Sequence, residues 1–505
     1  MINETKMTLN EFTDFIEKSV ENYQLEYKTC NGTLPQSFWE TYSAFCNTKG
    51  GYIILGVEES IPKNNIIGVG NADAITKQIW DLLSNKEKIS YSTINNEDIS
   101  CINIDDKNIV IIKVNEAPDT QKPIYIKNNY KKSYIRTGDG DRIITENEFK
   151  MFMRNSTSDN DSLLLEKFSI DDLDELSIIS FKENVSLRYP SYGFAKLSIE
   201  DFLIKIGAVS KNRDNEKIQL KRGTLLFLGK YSSINEAYPN YHLDYFNRKG
   251  NNLRWIDRVA TDEPNKHEMN IYNFYNIVSE KLKLVLNESF RLDENNKRVS
   301  VSDFDTSIRE ALVNCLAHAD YLNEHTTTKI EVFDGWFHFV NPGKMLIPIE
   351  NFSVGGESRL RNNTIMKLFR LLGSAERQGF GGLQIFSSAV KNKYRYPEIY
   401  SDIEKTDLKI WNIDLVDAYP ELSDNEKFVF SCIAKNNGYI SRQEIQDMTK
   451  LSEHYTRMAL NNLIKLKRIQ PIGGGKTTKY GLVRGTAEFV TQIQLILEQI
   501  QKNGG

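Results

Sequence analysis

The chain has 505 residues, 40% hydrophobic and 26% charged, enough for roughly three or four globular domains, and its net charge of -4 excludes a global attraction to nucleic acid or anionic membrane. Five cysteines, Cys30, Cys46, Cys101, Cys315 and Cys432, are scattered, odd in number and without a Cys-x-x-Cys pair, which argues against a disulfide framework or a zinc site and suits a reducing compartment. The first residues are polar where a signal peptide is basic and then apolar, and no window approaches about 18 uninterrupted apolar residues, so a soluble cytoplasmic protein without membrane contact is expected.

Thr8 to Asn22 opens on a capping residue and places Phe12, Phe15, Ile16 and Val20 on one face, which predicts a helix. The chain then alternates in Tyr23-Gln-Leu-Glu-Tyr-Lys28, a strand with Leu25 and Tyr27 inward and Glu26 and Lys28 together outward. A carboxylate and a lysine on one strand face suit a metal-dependent nuclease, the carboxylate holding a divalent cation and the lysine orienting water or stabilising negative charge. The same pair also suits a solvated strand face. Glu21, at the helix-to-strand junction, is a second carboxylate. Ser43-Ala-Phe-Cys-Asn-Thr-Lys-Gly-Gly-Tyr-Ile-Ile-Leu-Gly-Val-Glu-Glu59 combines a double-glycine turn, a short apolar strand from Tyr52 to Leu55, and two carboxylates where the strand ends. Glu21, Glu26 and Glu59 are therefore expected to converge on one sheet edge.

The segments Val20-Glu-Asn-Tyr-Gln-Leu-Glu-Tyr-Lys28 and Ser43 to Glu59 together resemble the AlbA-like domain of the Schlafen proteins. In the Schlafens that cut tRNA and rRNA, carboxylates at these positions bind the catalytic metal. The resemblance thus implies Mg2+ or Mn2+ held by Glu21, Glu26 and Glu59, with Lys28 assisting, in an endoribonuclease acting on structured RNA such as tRNA, in keeping with phage defence. Glu59 stands where the family usually has aspartate. Many bacterial relatives with this domain are described only as regulators, so the alternative is a non-catalytic domain in an ATP-binding, DNA-binding transcriptional regulator.

Ile66 to Val69 predicts a further strand and Ala74 to Leu83 a helix. Lys122-Pro-Ile-Tyr-Ile-Lys-Asn-Asn-Tyr-Lys-Lys-Ser-Tyr-Ile-Arg136 holds five basic residues, three tyrosines and no acid. Its alternation predicts a hairpin displaying Lys127, Lys131, Lys132 and Arg136. Cations interleaved with stacking rings fit single-stranded or looped RNA; lysines also protect an edge hairpin from aggregation. Thr137 to Asp141 turns the chain into a helix from Thr145 to Arg154, and a polar linker follows, which ends a first domain at 157. Residues 158–300 read as a connector domain with helices at Ile170 to Phe181, Ser198 to Ile206 and Tyr272 to Leu286, a strand at Thr224 to Leu228, and no motif with chemistry.

Asp305 to Tyr321 is a helix whose Glu310 and Asn314, four apart, point the same way. It resembles the asparagine box of the GHKL ATPase fold as found in bacterial RecG-related regulators, which implies that Asn314 coordinates magnesium on the phosphates and Glu310 activates water. A hairpin turning at Asp334-Gly335 follows. Asn341-Pro-Gly343 stands where that fold keeps its adenine-binding aspartate. Ser358 to Thr364 and Glu376-Arg-Gln-Gly-Phe-Gly-Gly382 continue the resemblance, the second as a glycine-rich turn that offers backbone N–H groups to phosphate ahead of a helix from Leu383 to Val390. A GHKL-like domain over 301–420 would then bind ATP with Glu310, Asn314, Asn341, Gly343, Gly379 and Gly381. His318, on the same helix as Glu310, reads as a hydrogen-bonded, partly buried residue in preference to a ligand.

Residues 421–483 follow the order of a winged helix, with Ser452 capping a third helix that carries Arg457 and with Lys476 on the wing, so DNA is a second expected partner alongside RNA. Winged helices also mediate protein contacts. In 484–505, Phe489, Ile493, Ile496 and Ile500 form a stripe suited to helix pairing, within a homo-oligomer or against the chain itself. The fold class expected is α+β and multidomain: a Schlafen AlbA-like α/β domain, a GHKL-like α/β sandwich and a C-terminal winged helix.

Overall fold

The computed structural model describes residues 9–483 except 61, 157–159, 214–215, 251–253, 289–301, 376–378, 393, 415, 420, 437 and 476–477. The chain divides into two compact units, Met1–Ser158 and Asp159–Gly505. The architecture is α+β and multidomain, and no helix among the described residues is long and apolar enough to cross a membrane.

In the first unit, α1 (Leu9–Lys18) leads to β1 (Leu25–Lys28), α2 (Ser37–Asn47), β2 (Gly51–Leu55), β3 (Val57–Glu58), β4 (Asn65–Ile66), α3 (Ala72–Leu83), β5 (Ile99–Ile104), β6 (Lys107–Val114), β7 (Tyr134–Thr137), β8 (Gly140–Ile143) and α4 (Glu146–Ser156). The central sheet has the order β1-β2-β6-β5, with β1 parallel to β2 and the other pairs antiparallel. Strand alternation sorts its side chains between two cores. Ile53, Leu55, Val110 and Ile112 pack with α2 and α3; Leu25, Tyr27, Ile54, Ile109 and Ile111 pack with Phe12 and Ile16 of α1. The double glycine is required where α2 turns into β2: Gly50 has φ of +68°, and a Cβ on Gly51 would lie 2.8 Å from the Gln24 carbonyl oxygen.

The basic segment differs from the expected hairpin. Lys127 and Asn128 have positive φ, and the Asn129 side chain accepts from the Lys131 N–H to form a short turn at Tyr130–Lys132. These local hydrogen bonds and dihedrals interrupt the alternation and leave a single antiparallel bridge, Tyr125 to Ser133, within the segment, while a longer two-stranded ladder forms one step later, between β7 and β8.

The second unit continues with β9 (Leu164–Leu165), α5 (Glu175–Arg188), α6 (Ile199–Ile206), β10 (Val209–Lys211), β11 (Ile218–Lys221), α7 (Arg222–Leu228), α8 (Tyr231–Ala237), β12 (Leu243–Asn247), β13 (Asp257–Ala260), α9 (Ile271–Glu288), α10 (Ser302–Ala317), β14 (Thr328–Phe333), β15 (Trp336–Pro342), α11 (Ile349–Val354), α12 (Asn363–Leu372), α13 (Gly381–Lys391), β16 (Glu398–Ser401) and β17 (Lys405–Trp411). A six-stranded sheet runs β13-β12-β14-β15-β17-β16. Tyr245, Ile330, Val332, Phe337, Phe339, Leu408 and Ile410 on its inner face share one apolar core with α9, α10 and α13, and that core extends into α5, α6 and α7. The expected boundary at residue 300 therefore does not separate two cores, because β12, β13 and α9 belong to the sheet domain. Thr224 to Leu228, expected as a strand, lies in the buried helix α7; in so short an apolar run the period does not distinguish the two.

The chain ends its described part with α14 (Asp424–Lys435), β18 (Ile440–Ser441), α15 (Arg442–Thr449), α16 (Glu453–Lys465), β19 (Ile469–Ile472) and β20 (Lys479–Leu482) around a separate core of Val429, Phe430, Ile433, Ile445, Leu460 and Leu463. The Ser452 side chain accepts from the Tyr455 N–H and caps α16. The wing residue Lys476 and the apolar stripe of 484–505 lie outside the described residues.

Asn47 joins α2 to the segment that carries the basic residues. Its Oδ1 accepts from the Ile124 N–H (2.7 Å), and its Nδ2 donates to the carbonyls of Ile124 and Tyr134 (both 2.9 Å). Asn47→Ala leaves these buried groups unpaired and should cost about 2–4 kcal/mol, measured as a lower midpoint in urea unfolding.

Candidate functional sites

At the open end of β1 the acidic side chains are neighbours with different surroundings. The Glu21 N–H donates to Glu59 Oε1 (3.1 Å), and Glu21 Oε1 accepts from the Tyr27 N–H (2.9 Å). Burial raises the Glu21 carboxyl to about 7, against the opposing Tyr27 hydrogen bond and with help from the charges of Glu26 and Glu59. Glu26 is buried, with Lys28 Nζ 2.7 Å from Oε1 and Arg136 Nη2 2.7 Å from Oε2.

Arg136, expected on the surface for nucleic acid, is only 3% exposed. Its guanidinium also pairs with Asp141 (2.9 Å), donates to the Asn22 and Leu25 carbonyls, and lies over the Phe45 ring. It is thus an internal clamp that joins the β7–β8 hairpin to β1. Lys127 and Lys131 are exposed with Tyr130 between them, and Lys132 is half-buried.

The three carboxylates do not make a metal cage. Both Glu26 oxygens face cations, and among the described residues no three His, Cys, Asp or Glu side chains stand close enough together to hold a metal ion. In this arrangement a divalent cation could take Glu26 only by displacing Lys28 or Arg136 from it.

The second site lies in the sheet domain of the other unit. Glu310 and Asn314 from α10, Asn341 from β15, and Gly379 and Gly381 at the start of α13 line one cavity, together with Lys344, Arg359 and Thr406. Its empty space of about 990 Å³, mouth included, falls in the size class of small-molecule sites. Asn314 Nδ2 donates to Glu310 Oε1 (3.2 Å). A Cβ on Gly381 would clash with Glu310 Oε1, so glycine allows α13 to start against α10. Gly343 is not on the cavity wall. Its φ of +93° turns the chain after β15, and its N–H donates to the Glu404 carbonyl (2.7 Å).

His318 lines the same cavity, half-buried, and burial with the nearby Arg361 pushes its pKa down to about 4, so the imidazole is neutral at neutral pH. Arg361 was not singled out by sequence reasoning. It is buried and bridges the end of α10 to the turn after β15, donating to the carbonyls of His318 (3.0 Å) and Lys344 (2.7 Å). In the winged-helix region, α16 exposes Arg457 beside His454, Tyr455 and Met458.

Three family models match the chain: residues 21–145 match "Schlafen, AlbA_2", residues 325–410 match "Putative ATP-dependent DNA helicase recG C-terminal", and residues 150–244 match a domain of unknown function, DUF8451. The chain carries a Schlafen AlbA-like domain and a RecG C-terminal-like domain. The AlbA-like match includes the whole acidic site, whereas the RecG-like match includes Asn341 and Thr406 and begins after Glu310 and Asn314. Among solved structures, the DIP2311 protein from Corynebacterium diphtheriae is 14% identical, over 91% of this chain and 95% of that one, with a TM-score of 0.39. The N-terminal domain of a "Putative ATP-dependent DNA Helicase RecG-related Protein" from Nitrosomonas europaea is 23% identical, over 25% of this chain and 88% of that one, with a TM-score of 0.20. None of the curated proteins matches significantly.

Two outcomes follow for the AlbA-like domain. Arg136→Met strands Glu26 and Asp141 without their shared cation and should destabilise the domain by about 3–5 kcal/mol, read from chemical denaturation. Because the folded pKa of Glu21, about 7, exceeds the ordinary 4.5, the unfolded chain loses this proton first, and stability falls as pH rises between those values. Glu21→Gln should therefore match wild type near pH 4.5 and exceed it at pH 8 by about 1 kcal/mol, a figure discounted for solvent screening; thermal melts at both pH values check this.

Proposed function

We propose that the protein is a nucleotide-binding regulator that acts on nucleic acid, with ATP and magnesium taken by the RecG C-terminal-like domain and DNA contacted by the winged helix. The observation that carries this reading is the convergence of Glu310, Asn314, Asn341, Gly379 and Gly381, distant in sequence, on one cavity. Glu310 and Asn314 suit the magnesium end. The N-terminus of α13, where Gly381 leaves no Cβ in the way, suits phosphate. Asn341 and Thr406, paired across β15 and β17, suit the base. A bound nucleotide supplies contact energy that favours one conformation over another.

Titration calorimetry with ATP and magnesium tests the pocket. Gly381→Val should lower affinity at least about tenfold by forcing α13 away from α10, and equal affinity would remove this cavity as the nucleotide site. Arg457→Glu should weaken duplex DNA binding and flatten its salt dependence, read by fluorescence anisotropy.

A second reading, a Schlafen-type endoribonuclease acting on structured RNA such as tRNA in phage defence, is favoured by one feature. Glu21 contacts Glu59 directly beside the Glu26–Lys28 pair, and the same domain exposes Lys127, Tyr130 and Lys131, which suit RNA contact. Total RNA is incubated with pure protein and manganese. Cleavage by wild type that Glu26→Gln abolishes supports this reading; cleavage that survives Glu26→Gln sinks it.

A further inference from the structure

Strand β17 is used on both faces. Thr406 and Leu408 line the cavity, while Asp407, Lys409 and Trp411 occupy the other side of the sheet. On that other side, rings and guanidinium groups stack in succession. Phe333 lies flat against Trp336, with centroids 4.0 Å apart and planes 4° apart, and Trp336 stacks on Trp411 at 5.6 Å. Arg395 lies over Trp411 at 4.4 Å and also over Tyr419 at 5.0 Å, and Arg468 covers the Tyr419 ring at 4.0 Å.

The stack passes from the sheet domain into the winged helix. Tyr419 is buried in the winged-helix core, edge-on to Phe430. Arg468 lies in the turn three residues after α16, its N–H donating to the Leu463 carbonyl, and its side chain pairs with Glu421 (3.4 Å). Arg395 is held in place by Glu398 (2.5 Å). Among the described residues the two domains have separate apolar cores, and the planar Arg395, with one ring on each domain, is a joint between them. Lysine or an aliphatic residue does not reproduce such a two-sided stack.

We infer that this stack fixes the winged helix to the sheet through Arg395, so that displacement of β17 when the cavity fills turns α16, the helix that presents Arg457. The ligand arm rests on the nucleotide-binding reading above; the joint itself does not.

Spin labels on the full chain test it. Tyr400 on β16 and Asn461 on α16 are both exposed and are replaced by cysteine; Cys101, the exposed native thiol among the described residues, is replaced by serine. Pulsed dipolar spectroscopy should give one narrow distance distribution in this background and one at least about twofold broader when Arg395→Met is added. Trp411→Leu, which removes the sheet-side ring and leaves Tyr419 in place, is the second variant, and circular dichroism checks that each is folded. A broad distribution in the background protein, or an unchanged width in folded variants, overturns the joint. With ATP and magnesium, the mean distance should shift in the background protein and not in Arg395→Met. If calorimetry shows binding and the distance does not move, the coupling is wrong. If calorimetry shows no binding, the nucleotide reading fails, and the width comparison still decides the joint.

Discussion

Side chains on a β-strand point alternately to opposite faces, and in β17 this puts a cavity wall and an aromatic–cationic stack on one backbone only a few residues long. The surrounding sheet depends on that division. Its inner face is apolar and packed by α9, α10 and α13. Its outer face is a ladder of paired charges and rings, in which His338 lies between Glu331 (3.2 Å) and Asp407 (2.5 Å) across three strands. Burial disfavours a charged imidazole there, but the carboxylates of Asp407 and Glu331 outweigh it and raise its pKa. A strand so tied on both sides does not shift one face without the other.

The AlbA-like domain has a comparable constraint in the buried pair of Arg136 and Glu26. A guanidinium taken out of water needs partners for most of its donors, and Arg136 finds them in Glu26, Asp141 and the carbonyls around Asn22 and Leu25. The same contacts fix the turn that carries Glu21. The acidic edge is thus a charge-balanced structure around Glu26 and an electrostatically strained one around Glu21, where burial and like charges act together. These opposite states of adjacent glutamates bear directly on whether the edge performs chemistry or only shapes a surface.

Much of the local structure was legible in the chain. The Asp334-Gly335 hairpin, the serine cap on α16 and the four-residue spacing of Glu310 and Asn314 depend on neighbours within a few residues, and short-range hydrogen bonding and helical period are enough to specify them. The alternation of Leu25 and Tyr27 with Glu26 and Lys28 was equally plain, and the inward pair is buried as expected. Arg136 was misplaced because its lysine-rich surroundings indicate a surface, and nothing local indicates a carboxylate on a distant strand. The segment from Thr224 to Leu228 was misread because a short run buried all round carries no period.

What the sequence alone determined was therefore the kind of each long element, the two domain resemblances and the residue types available for chemistry. Only the tertiary structure decided that β12 and β13 complete the six-stranded sheet, that both Glu26 oxygens are taken by cations, and that Asn314, Asn341 and Gly381 share one cavity. The physical reason is range. Propensity, capping and periodicity act over a few residues, whereas charge pairing, desolvation and cavity shape depend on groups that become neighbours only after long loops have closed.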